Sequence, residues 1–295
     1  MMMRVAGDEP TIDELMQAAN RRLAGLEAGD VPDLASYDWI VAASSAGKDS
    51  QAMLDVLVPL VRAAGCLDRM VIVHFDLGRV EWAGTAELAE EQAKHYGVRF
   101  VKMSRPQGDL LDHVEKLRQW PTASMRFCTS DHKRGQVYRL FTQLALETRS
   151  KRGSRRQVRI LNPMGIRAAE SPGRSKQIPF KTDAKATNGK RHVDVWYPIF
   201  RWSTEDVWSR IRSSGVPHHR AYDLGMPRLS CCFCILAPES ALLLAGKHNR
   251  ALLDEYVAVE ERIGHKFKKH LTIATIRDRV VAGEAPSGAV SSWCM

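Results

Sequence analysis

The stretch Ser44-Ser45-Ala46-Gly47-Lys48-Asp49-Ser50 packs hydroxyls, a glycine, an ammonium and a carboxylate into one short loop. That set suits an anion. Hydroxyls of Ser44, Ser45 and Ser50 can donate to phosphate oxygens, Gly47 admits backbone N–H groups at close range, and Lys48 adds a point charge. The following helix directs its N-terminal dipole at the same spot. The commoner glycine-loop motifs do not fit. A Walker-type loop needs glycine where Ala42 stands and a hydroxyl where Asp49 stands, and no G-x-G-x-x-G occurs. Because Ala46 is not glycine, no positive φ is expected there. Asp49 and Asp76 are candidates to hold Mg2+, and Asp49 equally suits capping its helix.

A second chemical cluster is "SCCFC", which brings Cys231, Cys232 and Cys234 together; Cys128 is far upstream, and Cys66 and Cys294 are isolated. Tight spacing points to metal or redox chemistry more than to structural disulfides. A tetrahedral zinc site, a redox-active Cys231/Cys234 disulfide and inert buried thiols all remain open. His218 and His219 precede this cluster as further candidate ligands.

These residues need a scaffold. Residues 1–36 read as a helical lead-in, with "TIDELMQAANRRLAGLEAG" capped by threonine and closed by glycine. Apolar runs then alternate with amphipathic ones. Strands are expected at "WIVAAS", "MVIVHF", "VRFVKM", "VRILNPMG" and "VDVWYPIF" (Val193 to Phe200), with helices between them. The runs do not alternate strictly, so both faces should be covered. That predicts an α/β fold, a Rossmann-like parallel sheet of about five strands with helices on both faces. Ligands in such sheets bind beyond the carboxyl ends of the strands, where the Ser44–Ser50 loop sits. The polar segment from Ile166 to His192 reads as a long mobile loop. "WSTEDVWSRIRSSG" is a helix capped by Ser203 and Asp206. Residues 236–295 form a helical C-terminal region, so the central domain spans 37–235.

The 295 residues are 44% hydrophobic and 26% charged, ordinary for a globular protein, with a net charge of +9. No apolar run approaches the roughly 18 residues that span a bilayer, and the start lacks a signal-peptide core. A cytoplasmic protein with no membrane partner is expected. The run "RSKRGSRRQVR", Arg149 to Arg159, is either a solvated basic loop or a nucleic-acid contact.

The loop "SSAGKDS" resembles the "SGGKDS" loop of the PP-loop ATP pyrophosphatases, the adenine nucleotide α-hydrolase superfamily. Four further segments resemble that superfamily's PAPS reductase-like branch in order: "VHFDLGRVEWAGT", "FCTSDHKRGQ", "GIRAAESPGR" and "GVPHHRAYDLGMPRLSCCFC". The resemblance covers roughly residues 38–235. It implies that the loop holds the β,γ-pyrophosphate of ATP and that ATP is cut at the α-phosphate. It places Asp76 and Gly165 at the nucleotide, and gives Lys48, Asp49, Lys133, Arg167 and Arg174 to charge neutralisation and catalysis, with Glu170 beside the arginines. It also implies a 4Fe–4S cluster on Cys128, Cys231, Cys232 and Cys234. The reductases' C-terminal "E-C-G-x-H" is missing from "SGAVSSWCM", which weakens a sulfonucleotide reductase assignment. The pattern is most similar to the ATP-dependent component of bacterial DNA phosphorothioation systems, the DndC and SspD type. That resemblance implies DNA as substrate, a cysteine desulfurase as sulfur donor, and further phosphorothioation proteins as partners. Sulfonucleotide reduction and tRNA thiolation are the alternatives.

Overall fold

A computed structural model of the protein describes residues 25–26, 28–153 and 156–284. Most of the expected N-terminal helix, part of the basic run and Cys294 lie outside the described residues.

The chain begins its sheet with β1 (Trp39–Ala43), then α1 (Lys48–Ala63), β2 (Met70–Asp76), α2 (Thr85–Tyr96), β3 (Arg99–Ser104) and α3 (Leu110–Leu117). A π-helical turn, Ser130–Arg134, leads into α4 (Gly135–Arg152). Next come β4 (Val158–Pro163), β5 (Phe180–Thr182), β6 (Arg191–Trp196) and α5 (Thr204–Ser214). Three helices follow: α6 (Glu239–His248), α7 (Arg250–Ile263) and α8 (Ile273–Val281).

The strands form one six-stranded sheet in the order β3-β2-β1-β4-β6-β5. All neighbours are parallel except β5, which runs antiparallel on the edge of β6. The expectation of about five strands is thus corrected to six. The extra strand lies in the segment expected to be a long mobile loop. That segment is built: Ala168–Glu170 and Pro172–Ser175 are single turns, and Phe180, Lys181 and Thr182 pair with Trp196, Val195 and Asp194.

Period-two side-chain alternation puts Ile40, Ala42 and Ile72 on one face and Val41, Val73 and Ile160 on the other. The first set packs with α1, α2 and α5 through Leu54, Leu57, Ala93 and Ile211. The second packs with α4 through Phe141 and Leu144. Burial on both faces explains why the strand sequences read as continuous apolar runs. A third core joins α3 to the C-terminal helices and to the cysteine loop, with Leu111, Trp120, Phe233, Leu253 and Ile276 inside it. Ser203 and Asp206 cap α5 reciprocally as expected, and Asp109 and Asp112 do the same for α3.

β1 has β2 on one side and β4 on the other, and the chain winds outward in both directions from it. The crevice above the carboxyl ends of β1 and β4 is the switch point where such sheets take ligands. No helix among the described residues is long and apolar enough to cross a membrane.

Candidate active site

The Ser44–Gly47 turn leaves β1 and delivers α1 at that crevice. Ser44 extends the sheet by donating its N–H to the Val73 carbonyl, 2.8 Å. Its hydroxyl accepts from the Ala46 N–H, 3.1 Å. The Ser50 hydroxyl donates to the Gly47 carbonyl, 2.8 Å. Two of the three hydroxyls expected at a phosphate therefore hold the loop, and Ser44 and Ser50 are buried; Ser45 is exposed. Ala46 has φ of 54°, so the expectation of an ordinary conformation there is wrong. The turn requires the left-handed region whichever residue occupies it, and alanine bears the strain.

The loop's cation is already partnered. Lys48 is 5% exposed, and its Nζ lies 2.9 Å from Asp49 Oδ2. Arg167, 3% exposed, donates from Nε to Asp49 Oδ1 at 2.6 Å and from a terminal nitrogen to the Trp202 carbonyl. Burial pushes the Asp49 carboxyl up, but Lys48 and Arg167 outweigh it and hold the group below the usual carboxylate range. Both Asp49 oxygens are thus committed to cations. Asp76, at the end of β2, accepts from the Gly78 N–H at 2.7 Å and has Lys102 Nζ 3.7 Å away. Neither carboxylate presents a ready Mg2+ ligand.

Gly165 brings the β4 loop against α1. A β-carbon there would lie 2.5 Å from the Asp49 carbonyl oxygen. This contact sets Arg167 beside the Ser44–Ser50 loop. Glu170 Oε2 accepts from the Arg167 N–H at 3.0 Å and pairs with Arg174, so Glu170 aligns both arginines.

Three participants escaped the sequence reading. The Tyr222 hydroxyl accepts from the Lys48 N–H at 2.8 Å, tying the cysteine-side loop to the first turn of α1. His74, 1% exposed, sits between the Ser44 carbonyl and Glu81 Oε2, each 3.0 Å away. Both partners are acceptors, an arrangement that favours the imidazolium, in which both ring nitrogens donate. Burial opposes that charge, but Glu81 and the Ser44 carbonyl raise the His74 pKa. Half-buried Arg228 lies within electrostatic range of Arg174, Glu170, Asp49 and Cys234, between the Ser44–Ser50 loop and the cysteines. Its only advance signal was its place three residues before Cys231.

His219 is not a metal ligand here. Its Nδ1 accepts from the Ala221 N–H at 3.1 Å, and its Nε2 lies 3.1 Å from the Thr85 hydroxyl, which itself donates to the Trp82 carbonyl. These partners fix a neutral ring protonated at Nε2. Burial pushes its pKa down to about 4. His218 instead pairs with Asp223 at 2.8 Å.

The four cysteines share one neighbourhood. Burial, then Cys234, raises the Cys231 thiol, and Cys128 and exposed Lys133 act on both. Burial pushes Cys232 up to about 12. Tyr256 feels Cys231, Cys232 and Cys234 together. The donors are soft thiols of the kind an iron–sulfur cluster takes. Yet among the described residues no three His, Cys, Asp or Glu side chains close around one point as metal ligands. The four thiols lie in one region without three of them converging.

The sequence profile of the phosphoadenosine phosphosulfate (PAPS) reductase domain matches residues 39–237, from β1 through the cysteine loop. The chain belongs to that family. Within the PAPS reductase family it is 28% identical over 202 residues to the adenosine 5'-phosphosulfate reductase of Allochromatium vinosum, covering 68% of this chain and 69% of that one. It is also 28% identical over 156 residues to an uncharacterized 37.8 kDa protein of Escherichia phage 186, covering 52% of this chain and 43% of the phage protein's length. The PAPS reductase of Candida auris, solved with phosphate, aligns over 77% of this chain and 98% of its own at 12% identity, with a TM-score of 0.44. The PAPS reductase-like domain thus supplies the scaffold that the five sequence segments had suggested.

Proposed function

We propose that the chain is an ATP pyrophosphatase that adenylates a DNA backbone phosphate for sulfur insertion. The observation that carries the reading is the Asp49 clamp. Two buried cations, Lys48 and Arg167, are held at a helix N-terminus in the switch-point crevice with one small carboxylate between them. Charge neutralisation and positioning are what adenylyl transfer asks of a protein.

In this reading the β,γ-pyrophosphate lies over the Ser45–Lys48 turn, receiving the Gly47 N–H and the Lys48 ammonium, while the Ser45, Ala46 and Lys48 N–H groups hold the turn's shape. Arg167 turns from Asp49 toward the α-phosphate. Arg174, aligned by Glu170, and Lys133 from the π-helical turn hold the incoming phosphodiester. A non-bridging oxygen of that diester attacks the α-phosphorus. The bond to the β-phosphate oxygen breaks, and pyrophosphate leaves with the electron pair. The terminal sulfur of a persulfide on a cysteine desulfurase then attacks the diester phosphorus, and AMP leaves carrying that oxygen. A second thiol cleaves the resulting P–S–S–Cys link, forming a disulfide with the desulfurase cysteine and leaving the phosphorothioate. Further phosphorothioation proteins would deliver the DNA. A 4Fe–4S cluster on Cys128, Cys231, Cys232 and Cys234 is part of the proposal; iron and sulfide counts on anaerobically purified protein test it separately.

The relationship to the Allochromatium reductase favours a second reading, sulfonucleotide reduction, in which the same loop binds the substrate's phosphates. One experiment separates the two. Anaerobic protein is incubated with ATP, DNA, a cysteine desulfurase and 35S-cysteine, and in parallel with adenylylsulfate and thioredoxin. Label in nuclease-resistant dinucleotides supports phosphorothioation. Sulfite from the second mixture, with no label in the first, replaces it with the reductase.

A further inference from the structure

The basic run Arg149–Arg159 divides in the fold. Arg152 and Arg156 both pair with Asp38, at 2.6 and 2.8 Å, and so bind the start of β1 to the end of α4. Arg149 does something else. It lines a cavity of about 400 Å3 between α4 and the turn before β6, together with Thr142, Leu146, Asn188, Lys190 and Arg191. This cavity is at the amino ends of β4 and β6, away from the phosphate loop.

Arg191 is the cavity's fixed wall. It is 7% exposed and donates to the Ala186 and Tyr138 carbonyls and to the Thr142 hydroxyl. Lys190 and Asn188 are exposed at the rim, and Leu146 is an exposed apolar residue at 53%. From the cavity, Thr142 and Tyr138 recur with Arg149 along α4 at helical spacing, and exposed Arg134 precedes them in the π-helical turn. Exposed Arg139 lies beside this row and Lys133 at its head, next to Cys231 and Cys234. Among the described residues the acids beside it are engaged, Asp131 at its head by the Ser130 hydroxyl. Glu147 faces Lys151 and Arg99, and Asp183 sits against Tyr138 and the Lys185 N–H.

We propose that this face of α4 is a track for a nucleic-acid phosphodiester backbone, entering at the Arg149–Lys190 cavity and leading along the helix to Lys133 at the cysteines. Arg149 and Lys190 at the cavity, Lys133 and Arg134 at the other end and Arg139 between them suit the phosphates of one backbone, and an apolar residue at the rim suits a sugar or base. From Gly135 to Arg149 the helix rises about 21 Å, about six phosphate spacings at 3.4 Å each. The track rests on the reading of the site as one that modifies nucleic acid, and tells how substrate reaches it.

The test uses the full chain and fluorescence anisotropy with labelled single-stranded DNA, duplex DNA and RNA over about 50 to 200 mM salt. Arg149→Ala with Lys190→Ala is compared with the charge-keeping pair Arg149→Lys with Lys190→Arg. The expected result is a salt dependence of log K on single strands shallower by about 1.4 for the alanine pair, about 0.7 for each lost cation, with the charge-keeping pair near wild type. The best-bound probe identifies the nucleic acid. ATP turnover without nucleic acid stays unchanged in both pairs, because neither residue is at the phosphate loop. An unchanged slope in the alanine pair overturns the track. So does wild-type protein that binds no probe, or one that binds polyglutamate as tightly as nucleic acid. If ATP is not turned over but the slope falls as expected, the track stands and the adenylation reading fails.

Discussion

Gly165 lies so close to Asp49 that a β-carbon on it would sit 2.5 Å from the Asp49 carbonyl oxygen. The contact is to backbone, which cannot swing aside. It presses the loop after β4 onto the first turn of α1 and thereby sets Arg167 within 2.6 Å of the Asp49 carboxylate. Gly165→Ala is expected to cost about 1–3 kcal/mol by overpacking and to weaken ATP binding. Denaturant titration and equilibrium binding check this; an alanine variant with wild-type stability and affinity would mean that the two loops are not so tightly joined.

Ala46 lies at φ of 54° and is fully buried. Ala46→Gly removes a left-handed strain of about 1–2 kcal/mol but adds freedom to the unfolded chain, which takes back about 0.4–1. The net expectation is stabilisation of about 0 to 1.6 kcal/mol. Ala46→Val should destabilise the protein. Paired urea melts read both; a destabilised glycine variant contradicts the account.

Much of the fold was legible because both faces of the sheet are buried, so the strands stand out as apolar runs. β5 was not, since a three-residue edge strand that starts after Pro179 and stops before Asp183 gives no run. Within the site, Lys48, Asp49 and Arg167 were legible from one loop and one segment. Tyr222, 174 residues from Lys48 in sequence, was hidden, because a hydrogen bond across the chain leaves no periodic trace. Ala46 misled for a different reason: residue type reports φ only where the turn leaves a choice.

Tyr222→Phe deletes the acceptor for the Lys48 N–H while keeping the ring against Trp208, 5.0 Å between centroids. An orphaned buried donor costs about 1–3 kcal/mol. The variant should be destabilised within that range and bind ATP about tenfold more weakly, since 1.4 kcal/mol is tenfold. Isothermal titration measures the second effect. Unaltered ATP affinity would remove Tyr222 from the site.

His219 should make stability fall in acid. Its ordinary pKa is 6.5 and burial lowers it to about 4, so the folded state binds this proton less readily than the unfolded state. Its contribution is therefore complete above about pH 6.5 and is lost as pH falls toward 4, amounting to no more than about 3 kcal/mol. His132, buried and also lowered to about 4, titrates in the same window. His219→Gln retains a donor and an acceptor without the titration, and should remove about half of the loss between those pH values. Melting temperatures of the two proteins across that range decide it; parallel curves would show that His219 is not the titrating group.

The central claim is that Lys48 and Arg167 are cations set around Asp49 to receive the phosphates of ATP. Pyrophosphate and AMP release from ATP by anaerobically purified protein, with Lys48→Ala beside it, tests this most directly. The account predicts equal amounts of AMP and pyrophosphate from wild type, stimulated by DNA, and none from Lys48→Ala. No ATP turnover by wild type, with sulfite formed from adenylylsulfate or PAPS, would contradict it and make the same loop the phosphate site of a sulfonucleotide reductase.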